Sequence, residues 1–328
     1  MEEENNRPED KKRFHLNFHI LLIAVILILA AISIIKLVLW NIGTKSDYDP
    51  DNLSEGFDVE ALDTIIPLSA AKLEGHEDDG VNTILCLGNS ILTDGEGENT
   101  FTEQLAKETG AEVYNGGFPF SRIGARNLTY SGDYMRDAFS LPYVAKSICE
   151  QDFSQLDYAV SFEQDPGFAA GVNTLKSLDY NKIDTIVIMY DATDYTEGTA
   201  VENPKDPYEI TTYTGALRTA LKNITETYPY IRIIVMSHTY AHSLDNDGNF
   251  MDGDTTDLGN GALPHYLVKE VDVAIEMGVS IIDNYYGTIN EDNYQDYMTD
   301  YLHCNDKGRE VLAKRLAELI NKSKPSVN

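Results

Sequence analysis

A chain of 328 residues with 42% hydrophobic content can bury a substantial core in one large domain or two small ones, which excludes disorder throughout. Its 54 acidic against 25 basic side chains leave a net charge of -29, a field that repels nucleic acid and anionic lipid headgroups and argues against a nucleic-acid enzyme. Three cysteines, Cys86, Cys149 and Cys304, stand without CxxC spacing, so neither a disulfide framework nor a zinc cluster is indicated.

In chain order, the first feature is apolar. Residues 20–40 are apolar apart from Ser33 and Lys36 and end on Trp40; as a helix these 21 residues would span about 31 Å, close to the hydrocarbon thickness of a bilayer. Lys36 can snorkel and Trp40 suits the interface. Arg7, Lys11, Lys12 and Arg13 precede the span, while only Lys36 and Lys45 lie at or beyond its far end. The positive-inside rule therefore predicts a cytoplasmic tail over 1–19, a single transmembrane anchor over 20–40 and an extracytoplasmic remainder in the cell membrane. The alternative is a cleaved signal peptide, but the apolar region exceeds a usual h-region and Ser46-Asp47-Tyr48 offers no small-x-small cleavage site. Removing the 6 basic and 5 acidic residues of positions 1–46 from the totals of 25 and 54 leaves 19 against 49, so the outer part favours a neutral or cationic substrate. Residues 41–80, rich in Asp, Glu, Ser and Gly, read as a tether that can touch the domain.

From residue 81 strands alternate with helices. Ile84 to Leu87 is a continuous apolar run ending at Gly88-Asn89-Ser90, the pattern of a buried parallel strand whose glycine lets the chain turn sharply out of the sheet. A helix follows near 100–109 with Gly110 as its C-cap, then strands near 111–114, 183–189, 231–236 and 279–282, with helices near 211–227, 264–277 and 306–321. The alternation predicts an α/β domain over 81–322, with a mostly parallel five-stranded sheet between two helical layers. A cap-like insertion over about 125–182, with helices near 141–150 and 167–178, is expected above the carboxyl edge of the sheet. Its aromatic residues either line a cleft or fill the cap's own core, and for any single ring the core is the simpler expectation.

Ser90 sits where ligands bind in open α/β sheets, just past the carboxyl end of the first strand, so its hydroxyl is a candidate nucleophile. A serine needs a base, and a histidine base needs an acceptor that fixes its tautomer. Among the seven histidines, His303 stands in Asp300-Tyr301-Leu302-His303 directly before the last helix. The three-residue spacing lets the Asp300 carboxylate curl back to Nδ1, leaving Nε2 for Ser90. His238 and His242 have a spacing compatible with a metal only on a helix, and their position reads as loop with no third ligand, so no metal is assigned. His265 reads as a surface residue, and Cys304 beside His303 as structural.

Together, Gly88-Asn89-Ser90 near one end of the domain and Asp300-x-x-His303 with Asn305 and Gly308 near the other resemble the SGNH (GDSL) hydrolases over roughly residues 81–322. The resemblance implies a flavodoxin-like sheet, Ser90, Asp300 and His303 as catalytic residues, no metal or cofactor, and hydrolysis of esters of small acyl groups, sugars or lipids. Two inner blocks depart from the family pattern, and both concern the oxyanion hole. The family's glycine donor falls on Phe120, five residues after Asn115, and the Gly-x-Asn-Asp block falls on Asp191-Ala192-Thr193-Asp194. The implied oxyanion donors are thus the Ser90 and Phe120 N–H groups and the Thr193 hydroxyl, with Asp191 placed to oppose a developing negative charge. The expectation is a membrane-anchored, extracytoplasmic serine esterase acting on an ester substrate, cell-envelope carbohydrate being the first choice. Its alternatives are a non-catalytic ligand-binding domain on the same fold and an O-acyltransferase.

Overall fold

The computed structural model describes residues 61–322 apart from 75, 77, 78 and 246. The tail over 1–19, the apolar stretch over 20–40 and the tether up to residue 60 lie outside the described residues. Among the described residues no helix is long and apolar enough to cross a membrane.

Strands β1 (Thr83–Gly88), β2 (Glu112–Asn115), β3 (Thr185–Met189), β4 (Arg232–Met236) and β7 (Ser280–Ile282) form one sheet in the order β2-β1-β3-β4-β7, every pairing parallel. Side chains on successive strand residues point to opposite faces, and both faces are apolar here. Leu85, Leu87, Ile186, Ile188, Ile233 and Val235 enter one core, while Ile84, Cys86, Val187, Met189, Ile234 and Met236 enter the other. This is why the central strands read as unbroken apolar runs.

Helices α1 (Phe101–Thr109) and α7 (Asp306–Lys322) cover the second face, where Phe101, Leu105, Leu312, Leu316 and Ile320 are buried. Burying such a side chain contributes about 1.5 to 3 kcal/mol. The limits of α1 are set locally. The Thr100 hydroxyl accepts the Glu103 N–H at 3.3 Å, and Gly110, at φ 68, closes the helix by donating its N–H to the Ala106 carbonyl.

The first face is covered by α2 (Leu141–Glu150), α3 (Ser154–Val160), α4 (Pro166–Ser177), α5 (Tyr213–Thr227) and α6 (Leu263–Glu276). The 125–182 stretch is therefore not a cap above the sheet edge. Its residues Val144, Ile148, Leu156, Phe168, Val172 and Leu175 share one core with the sheet residues Leu85 and Ile186, so it supplies part of a helical layer. The helix α3 was not foreseen. Phe118, Phe139 and Phe168 are core residues, as the simpler expectation had it, and Tyr158 and Phe162 stay exposed at 55% and 56%.

The end of the stretch read as a tether is docked. Thr64 exchanges two backbone hydrogen bonds of 2.9 Å with Ile281, pairing with the outer edge of β7 and satisfying groups that an edge strand leaves open. Asp63 pairs with Arg315 of α7 at 2.9 Å. A further two-stranded hairpin, β5 (His242–Leu244) with β6 (Phe250–Asp252), stands outside the main sheet.

Candidate active site

The strand order places the ends of β1 and β3 side by side at the point where the sheet's winding reverses, the place where an open α/β sheet holds its ligand. Gly88 ends β1. Its conformation is not left-handed; what demands glycine is the approach of β3, since a Cβ there would lie 1.9 Å from the Met189 carbonyl oxygen. The glycine expected to permit a turn thus permits close strand packing instead.

Beyond Gly88, Asn89 joins three segments. Its Nδ2 donates to Asp191 Oδ1 at 2.7 Å and to the Ser121 carbonyl at 3.1 Å, and its Oδ1 accepts the Asp191 N–H at 3.1 Å. Ser90 follows, only 1% exposed, and its Oγ accepts the backbone N–H of Phe120 at 3.2 Å. Phe120 reaches that position with φ 57, a left-handed conformation that costs an L-residue roughly 1 to 2 kcal/mol. The surrounding loop holds it there: Phe118 N–H donates to the Gly88 carbonyl at 3.0 Å, and Asp194 accepts the N–H groups of Ile123 and Gly124 at 2.8 and 3.0 Å. The bridging roles of Asn89 and Asp194 were missed in the sequence, because their partners lie far along the chain.

On the other side of the cleft, His303 Nδ1 lies 2.8 Å from Asp300 Oδ2, and Asp300 Oδ1 accepts the backbone N–H groups of His303 and Leu302, each at 2.8 Å. Asn305 caps α7 through the Gly308 N–H at 3.0 Å and donates to the Asp296 carbonyl at 3.0 Å, which fixes the loop that carries the histidine. Partial burial pushes the His303 pKa down, but the Asp300 bond and then the negative charges of Asp191, Asp300 and Asp94 outweigh it, and the net shift is upward. Asp300 moves the other way. Burial works to raise it, yet the His303 ring and the two backbone N–H groups hold it below the ordinary carboxylate value. The His303 ring meets the Phe120 ring edge-on, centroids 6.4 Å apart at 87°.

Thr193 lies in the same cleft, but its hydroxyl donates to Asp191 Oδ1, which also accepts the Thr193 N–H at 3.0 Å. Three donors thus converge on one oxygen of Asp191, while its buried Oδ2 has no hydrogen-bond partner among the described residues. Burial raises the Asp191 pKa, against hydrogen bonds from Thr193 and Asn89.

The five residues picked from the sequence are thus brought together: Ser90 with Phe120, Phe120 with His303, His303 with Asp300, and Thr193 on the wall of the cleft. That cleft encloses about 500 Å³ between Phe120, Thr193 and Thr196 on one side and Ser243, Leu244 and Tyr301 on another. The hairpin contribution was not anticipated; the signal was Asp247-Gly248, a hairpin turn dipeptide between two short apolar-containing runs. His242 lies in β5 of this hairpin, its ring tilted at 36° against Phe250 with centroids 4.8 Å apart, whereas His238 is buried after β4 with its pKa lowered by burial to about 4. Among the described residues no group of three or more His, Cys, Asp or Glu side chains is placed to hold a metal ion. The Cys304 thiol is buried, which pushes its pKa up to about 12 and leaves it a weak nucleophile.

No protein-family model and no curated protein matches the chain. The fold, however, recurs in solved structures. A protein from Lactobacillus plantarum is 17% identical with a TM-score of 0.53, the match covering 76% of this chain and 100% of that one. A GDSL-like protein from Bacteroides ovatus is 13% identical (TM-score 0.46, 74% and 99% covered), and Est24, a carbohydrate acetylesterase from Sinorhizobium meliloti, is 12% identical (TM-score 0.43, 74% and 99% covered). The first of these overlaps closely enough to bear on the fold. At such identity it bears on the fold alone.

Proposed function

We propose that this chain is a membrane-anchored, extracytoplasmic serine esterase that removes small acyl groups, acetyl first among them, from a glycan or a similar ester. The observation that carries the reading is the pairing of two contacts across one cleft, His303 Nδ1 to Asp300 Oδ2 at 2.8 Å and Phe120 N–H to Ser90 Oγ at 3.2 Å. In this reading His303 Nε2 takes the Ser90 proton as Oγ attacks the ester carbonyl, and the N–H groups of Phe120 and Ser90 receive the oxyanion. His303 then passes the proton to the departing alcohol, and water hydrolyses the acyl-serine with the same base. Asp300 keeps the imidazole in the right tautomer and stabilises its charged form. The acidity of the outer chain suits a neutral sugar ester.

A second reading has one observation in its favour. The Thr193 hydroxyl is directed at Asp191, which leaves the oxyanion site with backbone donors, and a domain that binds an ester or glycan without cleaving it would tolerate that. The two readings separate in one experiment with the purified full chain in detergent, offered p-nitrophenyl acetate and a fluorophosphonate probe. Turnover together with labelling that disappears in Ser90→Ala and His303→Ala variants is the expected result. A folded wild type that neither hydrolyses the ester nor takes the label would leave the binding reading.

A further inference from the structure

Phe120 is one of two non-glycine residues with positive φ among the described residues, and its ring is 54% exposed. A bulky side chain in that backbone region is strained, and a half-exposed ring recovers little of the loss through burial. The N–H that meets Ser90 Oγ would be supplied equally well by glycine, which adopts this conformation freely. The ring must therefore be explained by what it borders.

It borders two spaces. One is the 500 Å³ cleft that contains His303, Ser243, Leu244 and Tyr301. The other lies against Pro119, Arg122, Arg136, Asp137, Phe139 and Phe168 and offers about 10 Å³, room for a single water-sized group. His303 belongs to the large space and not to the small one. In ester cleavage the histidine hands its proton to the departing alcohol, so the alcohol must lie on the histidine's side and the acyl chain on the other.

We propose that the Phe120 ring is a partition, which separates an alcohol cleft on the His303 side from an acyl pocket no larger than a methyl group and thereby restricts the enzyme to acetyl esters. The inference rests on the esterase reading. In acylation the Ser90 Oγ–carbonyl carbon bond forms and the carbon–alkoxy bond breaks, the serine proton passing through His303 to the alcohol oxygen. The methyl of the acyl group then stands against the far face of the ring until water releases acetate. A butyryl or hexanoyl chain would need the volume that the ring fills.

The test uses the full chain and the p-nitrophenyl esters of acetate, butyrate and hexanoate, with kcat/KM measured for each. A pocket discriminates by about 10- to 200-fold per methylene, so wild type should fall at least about tenfold from acetate to butyrate and further to hexanoate. Phe120→Gly removes the ring, keeps the N–H and relieves the backbone. The butyrate-to-acetate ratio should rise at least about tenfold with no loss of thermal stability, and Phe120→Leu, which keeps the bulk, should hold the acetate preference. A ratio unchanged in Phe120→Gly, with turnover still dependent on Ser90, overturns the partition while sparing the esterase reading. Absence of turnover for all three esters, with Ser90 unlabelled by a fluorophosphonate in folded wild type, overturns both.

Discussion

The hydroxyl of Thr193 donates to the carboxylate of Asp191, two residues earlier, and the same oxygen accepts the Asn89 side chain at 2.7 Å. Asp191 thereby ties the turn after β1 to the turn after β3, and it engages the one hydrogen-bond donor of the Thr193 side chain, its hydroxyl. The expected outcome is non-additive. Thr193→Val should change turnover less than tenfold in the parent, because the hydroxyl is already engaged, an estimate set against the roughly 100- to 1000-fold that an oxyanion donor is worth. In an Asp191→Gly background the freed hydroxyl becomes available, and the same Thr193→Val change should then cost about 100-fold or more. Steady-state kinetics on the four proteins of the cycle decide it. A 100-fold loss in the single Thr193→Val variant would mean that the hydroxyl leaves Asp191 during the reaction.

The carboxylates around His303 set a pH dependence. The base must be neutral to accept the Ser90 proton, and its pKa is raised above the ordinary value of 6.5 by Asp300, then by Asp191 and Asp94. Activity is thus low while the imidazole is protonated and rises with pH through the raised pKa, so the acid limb of kcat/KM should lie above 6.5. Asp191→Asn removes one of the negative charges and should move that limb toward lower pH. A limb that stays in place in Asp191→Asn would show that Asp191 is uncharged over this range.

Gly88 offers a stability test independent of catalysis. A Cβ at this position meets the Met189 carbonyl oxygen at 1.9 Å and its carbon at 3.0 Å, both backbone atoms of the neighbouring strand. Gly88→Ala should force β1 and β3 apart and destabilise the domain by about 1 to 3 kcal/mol. A urea or thermal unfolding midpoint equal to that of the wild type would remove the close-approach argument.

The anchor over 20–40 is read from a 21-residue stretch that is apolar apart from Ser33 and Lys36 and from the basic flank before it. The full chain should sediment with membranes, and protease added from outside should release a fragment of the acidic domain. Recovery of the intact domain in the medium after cleavage beyond residue 40 would refute a retained anchor.

Local chemistry made much of this protein legible in advance. A strand buried on both faces must be apolar throughout, so β1, β3 and β4 announce themselves, and the alternation with helices then dictates a parallel sheet. Asp300 and His303 are three residues apart on one loop, close enough for their contact to follow from spacing, and Thr100 and Gly110 mark the ends of α1 through hydrogen bonds to residues within one turn. Other features depend on partners that no local pattern specifies. The helices between β2 and β3 read as a cap, and only their burial against Leu85 and Ile186 makes them part of a layer. The left-handed turn at Phe120 is imposed by Gly88 and by Asp194, 74 residues further on, and the direction of the Thr193 hydroxyl follows from an Asp191 carboxylate that Asn89, 102 residues earlier, holds in place. Pairing across such separations is settled only when the whole sheet closes, because each bond becomes favourable only once packing has removed water from both partners.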